Sequence, residues 1–361
     1  MTATTLVITN DFPPGIGGIE VMVRAVCDVL GDVVVLTGHA GQPGTTAADA
    51  AAPGPVHRRP GTLLPTAAVA QQAEHLIRTH QITQIVFGAA APLGLLARRL
   101  RPQVERIVAL SHGHECWWAQ APGTRRLLRR IGDDVDVLTT ISQHTEATIA
   151  AALSPAGRER LRRLPPPVDD RFFAATSRSG TGPTVLAAAR LVQQKGLDTL
   201  LRAWSQVRPQ DPQQPRLLIA GDGPQRRRLE RRAGAGVEFL GSVSHAQMPQ
   251  LMAAADVFAL PVRTRLGGWY AEGFGLVFAE AQAAGLPVLA GDSGGVGDVV
   301  DHGHTGYLLD PTDVDLWAHR LYRLVTDSEL RDRLGTAGVH RARAFSHARF
   351  ADRVRALMVA G

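Results

Sequence analysis

Arg263-Thr-Arg-Leu-Gly-Gly-Trp-Tyr-Ala-Glu-Gly-Phe-Gly-Leu-Val-Phe-Ala-Glu280 holds two carboxylates, Glu272 and Glu280, with seven residues between them and a Gly-Phe-Gly directly after the first. Ahead of it, Val257-Phe-Ala-Leu-Pro261 reads as a buried strand closed by Pro261. Behind it, Leu276–Ala284 has helix-forming residues that Gly285 and Pro287 stop. The order is strand, polar glycine-rich loop, helix. It sets loose backbone N–H groups and the positive end of a helix beside a carboxylate. Such a loop suits the phosphates and hydroxyls of a nucleotide sugar; it is equally compatible with an ordinary strand-to-helix turn carrying two solvated acids.

The chain has 361 residues, enough for about two domains. Cys27 and Cys116 lie far apart, so a disulfide framework is not expected and a reducing, cytoplasmic compartment is the default. The first residues have no basic start and no long apolar run, and read as a buried strand rather than a signal peptide. No stretch reaches the ~20 apolar residues that span a bilayer. The net charge of +6 suits a phosphate-rich ligand or the inner face of an anionic membrane, or simply reflects an Arg-rich composition. Nucleic acid is not the expected partner, because the basic residues are not interleaved with stacking aromatics.

Working back to the start, Leu6–Thr9 is a short apolar run. Asn10-Asp-Phe-Pro-Pro-Gly-Ile-Gly-Gly18 follows, then a helix with Ile19, Met22, Val23, Val26, Val29 and Leu30 at helical spacing. Gly17 and Gly18 would let backbone approach a pyrophosphate or merely serve a tight turn; the G-x-G-x-x-G fingerprint is absent. Strands are expected at Val33–Thr37, Ile82–Phe87, Arg106–Leu110, Asp136–Thr140 and Leu161–Leu164, with residues 38–60 a loop or mobile excursion. Ser111-His-Gly-His-Glu-Cys-Trp-Trp118 sits at a strand's carboxyl end, where α/β sheets bind ligands. His112, His114 and Glu115 lack an obvious fourth ligand, so no metal site is expected. In the helix around 122–131, Arg125, Arg126, Arg129 and Arg130 form one side, an amphipathic face for an anionic membrane or a plain solvated face.

Residues 165–182, with three consecutive prolines, read as a linker dividing a domain over 1–168 from one over 169–344. The second half repeats the alternation. Strands are expected at Thr184–Ala189, Arg216–Ala220, Val237–Leu240, 257–261 and Pro287–Ala290, and helices at Leu197–Val207 and His245–Ala255, with two or three more from Val314 to Ala360. Each half should form a parallel doubly wound sheet, the two facing each other across a cleft. Arg190 and Lys195 flank a strand end and a helix start, where a fixed guanidinium and a flexible ammonium can neutralise a diphosphate. Ordinary surface charge is the competing reading.

Taken together, the Gly17-Gly18 loop, Arg190-Leu-x-x-x-Lys195-Gly, the Gly221-Asp-Gly turn, the Glu272–Glu280 pair and Gly294-Gly295 resemble the retaining GT-B glycosyltransferases of family 4. Asn10-Asp-Phe-Pro-Pro, His112-Gly-His-Glu115, Ile131-Gly-x-x-Val-Asp-Val-Leu-Thr, Arg263-Thr-Arg and Glu272-Gly-x-Gly are similar to the PimB-type phosphatidylinositol mannosyltransferases. The resemblance implies two Rossmann-like domains. The first (1–168) binds the acceptor, the second (169–344) binds the donor, and the last helix (345–361) packs back on the first. It implies that Gly17 and Gly18 approach the donor phosphates and that Arg190 and Lys195 hold the diphosphate. Glu272 with the backbone of Gly273, Phe274, Gly275, Leu276 and Val277 would bind the sugar. Glu280 would bind the ribose, Gly241 and Val243 would meet the base, and Arg263 would join the donor set. His112 would lie against the reacting carbon. The acceptor-side candidates are Asn10, Asp11, His114, Glu115, Trp117, Trp118, Trp269 and Tyr270. No metal and no resident cofactor are implied; a GDP-sugar is the co-substrate.

The sequence departs from the PimB pattern at Gly267-Gly-Trp-Tyr-Ala-Glu272 and at Cys116-Trp-Trp118. Those aromatics would add flat apolar walls suited to a ring, a lipid edge or a cationic group, or would simply pack. Three readings follow: mannosyl transfer from GDP-mannose to a phosphatidylinositol-mannoside-like lipid at the membrane, GDP-sugar-dependent transfer to a small soluble acceptor (a thiol, an aromatic or a cation) in specialised metabolism, or a non-transferase nucleotide-sugar enzyme on the same fold.

Overall fold

A computed structural model describes residues 4–15, 17–174, 182–207, 215–265 and 268–359. The chain forms two compact units, one of residues 1–167 with 348–361 and one of residues 168–347. The sequence linker 165–182 falls partly outside the described residues. Within it a short helix, Asp170–Ala174, anchors Phe172, which is completely buried.

The first unit is a seven-stranded parallel sheet built from β1 (Thr5–Thr9), β2 (Val33–Thr37), β3 (Val56–Arg58), β4 (Gln84–Phe87), β5 (Arg106–Ala109), β6 (Val137–Thr140) and β7 (Leu161–Arg163). Their order is β3-β2-β1-β4-β5-β6-β7. β1, β2 and β6 are buried at every position, the pattern of parallel strands covered on both faces. The excursion expected at 38–60 is instead ordered: it holds a helix, Thr45–Ala50, and the edge strand β3, whose partly exposed residues carry no apolar run to betray it. In the helix Pro122–Asp134, Leu128 and Ile131 are buried, whereas Leu127 is turned to the exposed side with the arginines. The helix His347–Met358 belongs mostly to this unit. Its last carbonyls accept hydrogen bonds from the strand residues Arg106 (Nε to Leu357 O, 2.6 Å) and Gln84 (Nε2 to Met358 O, 3.0 Å).

The second unit is a six-stranded parallel sheet of β8 (Thr184–Ala188), β9 (Arg216–Ala220), β10 (Val237–Gly241), β11 (Val257–Leu260), β12 (Val288–Gly291) and β13 (Gly306–Leu309), in the order β10-β9-β8-β11-β12-β13. β13 escaped the sequence reading; at four residues and next to a glycine turn, it is too short for its periodicity to register. Among the described residues no helix is long and apolar enough to cross a membrane.

In both sheets the chain runs outward in one direction, then returns to the other side of its first strand. The reversal lies between β1 and β4 in the first unit and between β8 and β11 in the second. Strand-end loops diverge at such a reversal, leaving room for a ligand.

The helix Leu276–Ala283 is buried nearly all round, and the helix Ser328–Ala342 covers its far end. Their approach depends on Gly335, where an added Cβ would stand 2.2 Å from the Gly285 carbonyl oxygen. Alanine is the better helix former by about 1 kcal/mol, but an overpacked contact costs about 1–3 kcal/mol. Gly335→Ala is therefore expected to lower the calorimetric melting temperature; a rise would contradict the close approach.

Candidate functional site

In the second unit three loops leave the strand ends around the β8/β11 reversal, and they are locked to one another. Gly196, at the end of the loop after β8, has φ +66°, and a Cβ there would meet the Pro261 carbonyl oxygen at 1.9 Å. No residue but glycine fits at that approach. Arg263 N–H donates to the Gln194 carbonyl at 2.9 Å, joining the same two loops. The loop after β12 holds Glu272 by its backbone on both sides. Glu272 N–H donates to Ser293 Oγ (3.3 Å), and the Glu272 carbonyl accepts from Gly295 N–H (2.8 Å). Thr264 and Ser293 hydroxyls are 2.9 Å apart.

The result of this bracing is an ion pair. Lys195 Nζ donates to Glu272 Oε2 at 2.6 Å, although the two residues lie 77 positions apart. Their side chains are about one-fifth exposed (22% and 19%), so water reaches them but does not fill the site. A pair this accessible can be opened by a ligand that offers the lysine an anion and the carboxylate a hydroxyl. Arg190, at the other end of the same loop, is exposed and meets no partner among the described residues. Beyond Glu272, Gly275 caps the helix Leu276–Ala283 in a left-handed conformation, and the first N–H groups of a helix have no acceptor within it. Phe274 is buried, packed edge-on against Phe345 at 5.1 Å; its backbone, not its ring, is what the loop can offer.

Glu280 lies farther along that helix and is 7% exposed. Its Oε1 is 3.1 Å from His245 Nε2, in the segment that follows Gly241-Ser-Val243. Burial pushes the Glu280 carboxyl above its ordinary range, and the hydrogen bond from His245 opposes that rise. The same hydrogen bond raises His245 above its ordinary value. No spacing in the sequence singled out His245, since its partner lies 35 residues on.

Arg263 is engaged by the helix that follows the β8 loop. Its Nη2 donates to Asp198 Oδ1 (2.8 Å) and Thr199 Oγ1 (3.0 Å). The guanidinium is paired at the start of the helix Leu197–Val207, and there Arg263 braces the loop.

In the first unit the β1, β4 and β5 ends converge. His112 Nε2–H donates to the Gly88 carbonyl, which leaves Nδ1 as the accepting nitrogen. Burial lowers the His112 pKa, so the ring is neutral at pH 7. Glu115, fully buried, faces inward. Its Oε2 accepts from Ser111 Oγ (2.9 Å) and His112 N–H (3.1 Å), and its Oε1 lies 3.2 Å from His114 Nε2. Glu115 therefore holds the loop from inside. Asn10 is likewise engaged by the backbone of Leu63, its amide accepting at 2.6 Å and donating at 3.0 Å. Trp118 packs against the hydrophobic core, while Trp117, Trp269 and Tyr270 stay about two-fifths exposed (42%, 43% and 42%). Asp11 is partly exposed. Glu20 folds back toward Gly17, with Oε2 2.4 Å from where a Cβ on that glycine would stand; Gly18 has open space there.

Gly294 tests the bracing of Glu272. Its φ is +56°, and a Cβ would stand 2.1 Å from the Glu272 carbonyl oxygen. Gly294→Ala is expected to cost more than about 1 kcal/mol of stability and to speed amide exchange across 271–276. Unchanged exchange there would contradict the clamp.

Comparison with known proteins fits this geometry. The family model "Glycosyl transferases group 1" matches residues 168–341. The chain is 40% identical over 359 residues to a GDP-mannose-dependent alpha-(1-6)-phosphatidylinositol monomannoside mannosyltransferase of Mycobacterium tuberculosis, covering 92% of each. It is 38% identical over 353 residues to the GDP-mannose-dependent monoacylated alpha-(1-6)-phosphatidylinositol monomannoside mannosyltransferase of Corynebacterium glutamicum, again covering 92% of each. Among solved structures, Anabaena Alr3699/HepE in complex with UDP matches with a TM-score of 0.80 at 19% identity, covering 98% of both chains. Sucrose-phosphate synthase from Thermosynechococcus elongatus matches with a TM-score of 0.77 at 23% identity, also over 98% of both. With two doubly wound parallel sheets and relatives of this identity along nearly its whole length, the chain belongs to the GT-B glycosyltransferases of group 1, and within them to the PimB-like phosphatidylinositol monomannoside mannosyltransferase family.

Proposed function

We propose that the protein transfers mannose from GDP-mannose to a phosphatidylinositol mannoside, with retention at the anomeric carbon and without a metal ion, as a family 4 enzyme. The observation that carries this reading is the near-full-length match to relatives named for that donor and that lipid acceptor. The ion pair and helix end at the β8/β11 reversal supply a physical rationale.

In this reading Lys195 swings from Glu272 to the donor diphosphate, joined by the unpartnered Arg190. Glu272 and the N–H groups after it accept and donate to the sugar hydroxyls, Glu280 takes the ribose diol, and the Gly241-Ser-Val243 turn meets the guanine. Gly17 and Gly18 lie along the donor phosphates. His112, neutral, offers Nδ1 to a sugar hydroxyl near the reacting carbon. The acceptor hydroxyl attacks the anomeric carbon from the face the phosphate is leaving. The carbon–phosphate oxygen bond breaks, the carbon–acceptor oxygen bond forms, and the acceptor proton passes to the departing diphosphate. Negative charge grows on that diphosphate, and fixed cations placed to meet it are worth roughly 2–4 kcal/mol each. These cations do the work a metal would otherwise do.

The lipid acceptor calls for contact with an anionic surface. A cavity of about 570 Å³ in the first unit is floored by Ala151, Ala152 and Leu153 and edged by Arg126 and Arg129, which meet no partner among the described residues. Arg125 and Arg158 donate to the Ala151 and Ala150 carbonyls.

Lys195→Ala and Arg190→Ala are each expected to reduce mannosyl transfer by ~100-fold or more, with full activity kept in EDTA; normal turnover in a variant removes that residue from the site, and loss in EDTA removes metal independence. Sedimentation with phosphatidylinositol vesicles should retain the wild-type protein and release an Arg126→Ser, Arg129→Ser double variant. A wild-type protein that stays in the supernatant would sink the membrane contact.

A further inference from the structure

His245 stands at the head of a chain of polar contacts that the donor reading leaves unused. Arg171 Nη2 lies 3.4 Å from His245 Nδ1. A guanidinium only donates, so Nδ1 accepts, and the proton of the neutral ring sits on Nε2, directed at Glu280 Oε1. Arg171 is itself fixed by Asp169, with Nη2 2.6 Å from Oδ2 and Nε 3.0 Å from both oxygens. Phe172, fully buried, meets the imidazole edge-on at 5.6 Å. The ring is therefore set in orientation and in tautomer from the side away from Glu280. Among the described residues His245 is the side chain that meets the Glu280 carboxylate, and it meets Oε1 alone, leaving Oε2 open.

We propose that His245 is the positioning residue for Glu280, anchoring Oε1 so that the carboxylate presents Oε2 and the free lone pair of Oε1 to the two adjacent hydroxyls of the donor ribose. The proposal rests on the reading of Glu280 as the ribose-binding group. A vicinal diol offers two donors, and two oxygens held in one plane receive them both, whereas a carboxylate free to rotate loses that match. The hydrogen bond also keeps the group in its accepting form. Glu280 is nearly buried, and burial favours the protonated acid, which would put an O–H where a ribose O–H needs an acceptor. The charged groups facing this pair are Asp169 and Arg171. Asp169 favours the cationic ring and Arg171 disfavours it.

Three variants assayed across pH with GDP-mannose as the varied substrate separate the possibilities. His245→Leu keeps an apolar cover over the carboxylate and removes the donor. It should raise the donor KM about tenfold, with a smaller change in kcat. Without the hydrogen bond the Glu280 carboxyl rises further, so the acid-side fall of kcat/KM should begin at a higher pH than in the wild type. His245→Gln, which restores an N–H donor, should recover most of the affinity and move the acid limb back. A purely structural role for the ring would lower the melting temperature and leave the pH limb in place. Glu280→Ala reports on the underlying reading: a wild-type donor KM in that variant would mean that Glu280 does not hold the ribose. A raised KM in Glu280→Ala together with a wild-type KM and an unmoved acid limb in His245→Leu would overturn the positioning role alone.

Discussion

The contact on which the second unit's site depends is the approach of two loops at the β8/β11 reversal, where Gly196 lies against the Pro261 carbonyl with no space for a side chain. That approach brings Lys195 to Glu272 across 77 residues of chain. Two opposite charges in a braced, partly dry pocket attract strongly and hydrate poorly. In the proposed reading the pair is a store of two binding groups, each satisfied by the other until a ligand supplies a diphosphate for one and a hydroxyl for the other. Around it the bracing is done by groups that never need to touch a ligand: Ser293 and Gly295 on the Glu272 backbone, Thr264 on Ser293, Asp198 on Arg263.

The first unit follows the same logic with different chemistry. Glu115 spends its carboxylate on the loop that carries His112, and Asn10 spends its amide on the backbone of Leu63. What these hold in place is a half-buried, neutral imidazole tied by one nitrogen to the Gly88 carbonyl. Each unit thus uses buried polar groups to orient a small number of accessible ones, as pre-organised binding requires.

Segments with a strong apolar pattern were legible from the sequence, whether a fully buried strand or a helix with one buried face: Val33–Thr37, Leu197–Val207 and Arg216–Ala220 have the bounds read from residue pattern alone. Elements that escaped, among them β3, the helix Thr45–Ala50, the helix Asp170–Ala174 and β13, are short or at a sheet edge, where a pattern has too few residues to register. At the site, the glycine loops and the two glutamates stood out because few residue types suit a strand-to-helix turn. Partnerships did not stand out. That Arg263 is taken by Asp198, that Glu115 is turned inward, and that His245 rather than solvent meets Glu280 are facts of tertiary distance, and residue type alone is silent on them.

A crystal structure of the protein with GDP-mannose tests the central claim most directly. The account predicts that Lys195 Nζ will have left Glu272 for the diphosphate, with Glu272 accepting from sugar hydroxyls in its place. A nucleotide sugar bound elsewhere while the Lys195–Glu272 pair stays closed would contradict it.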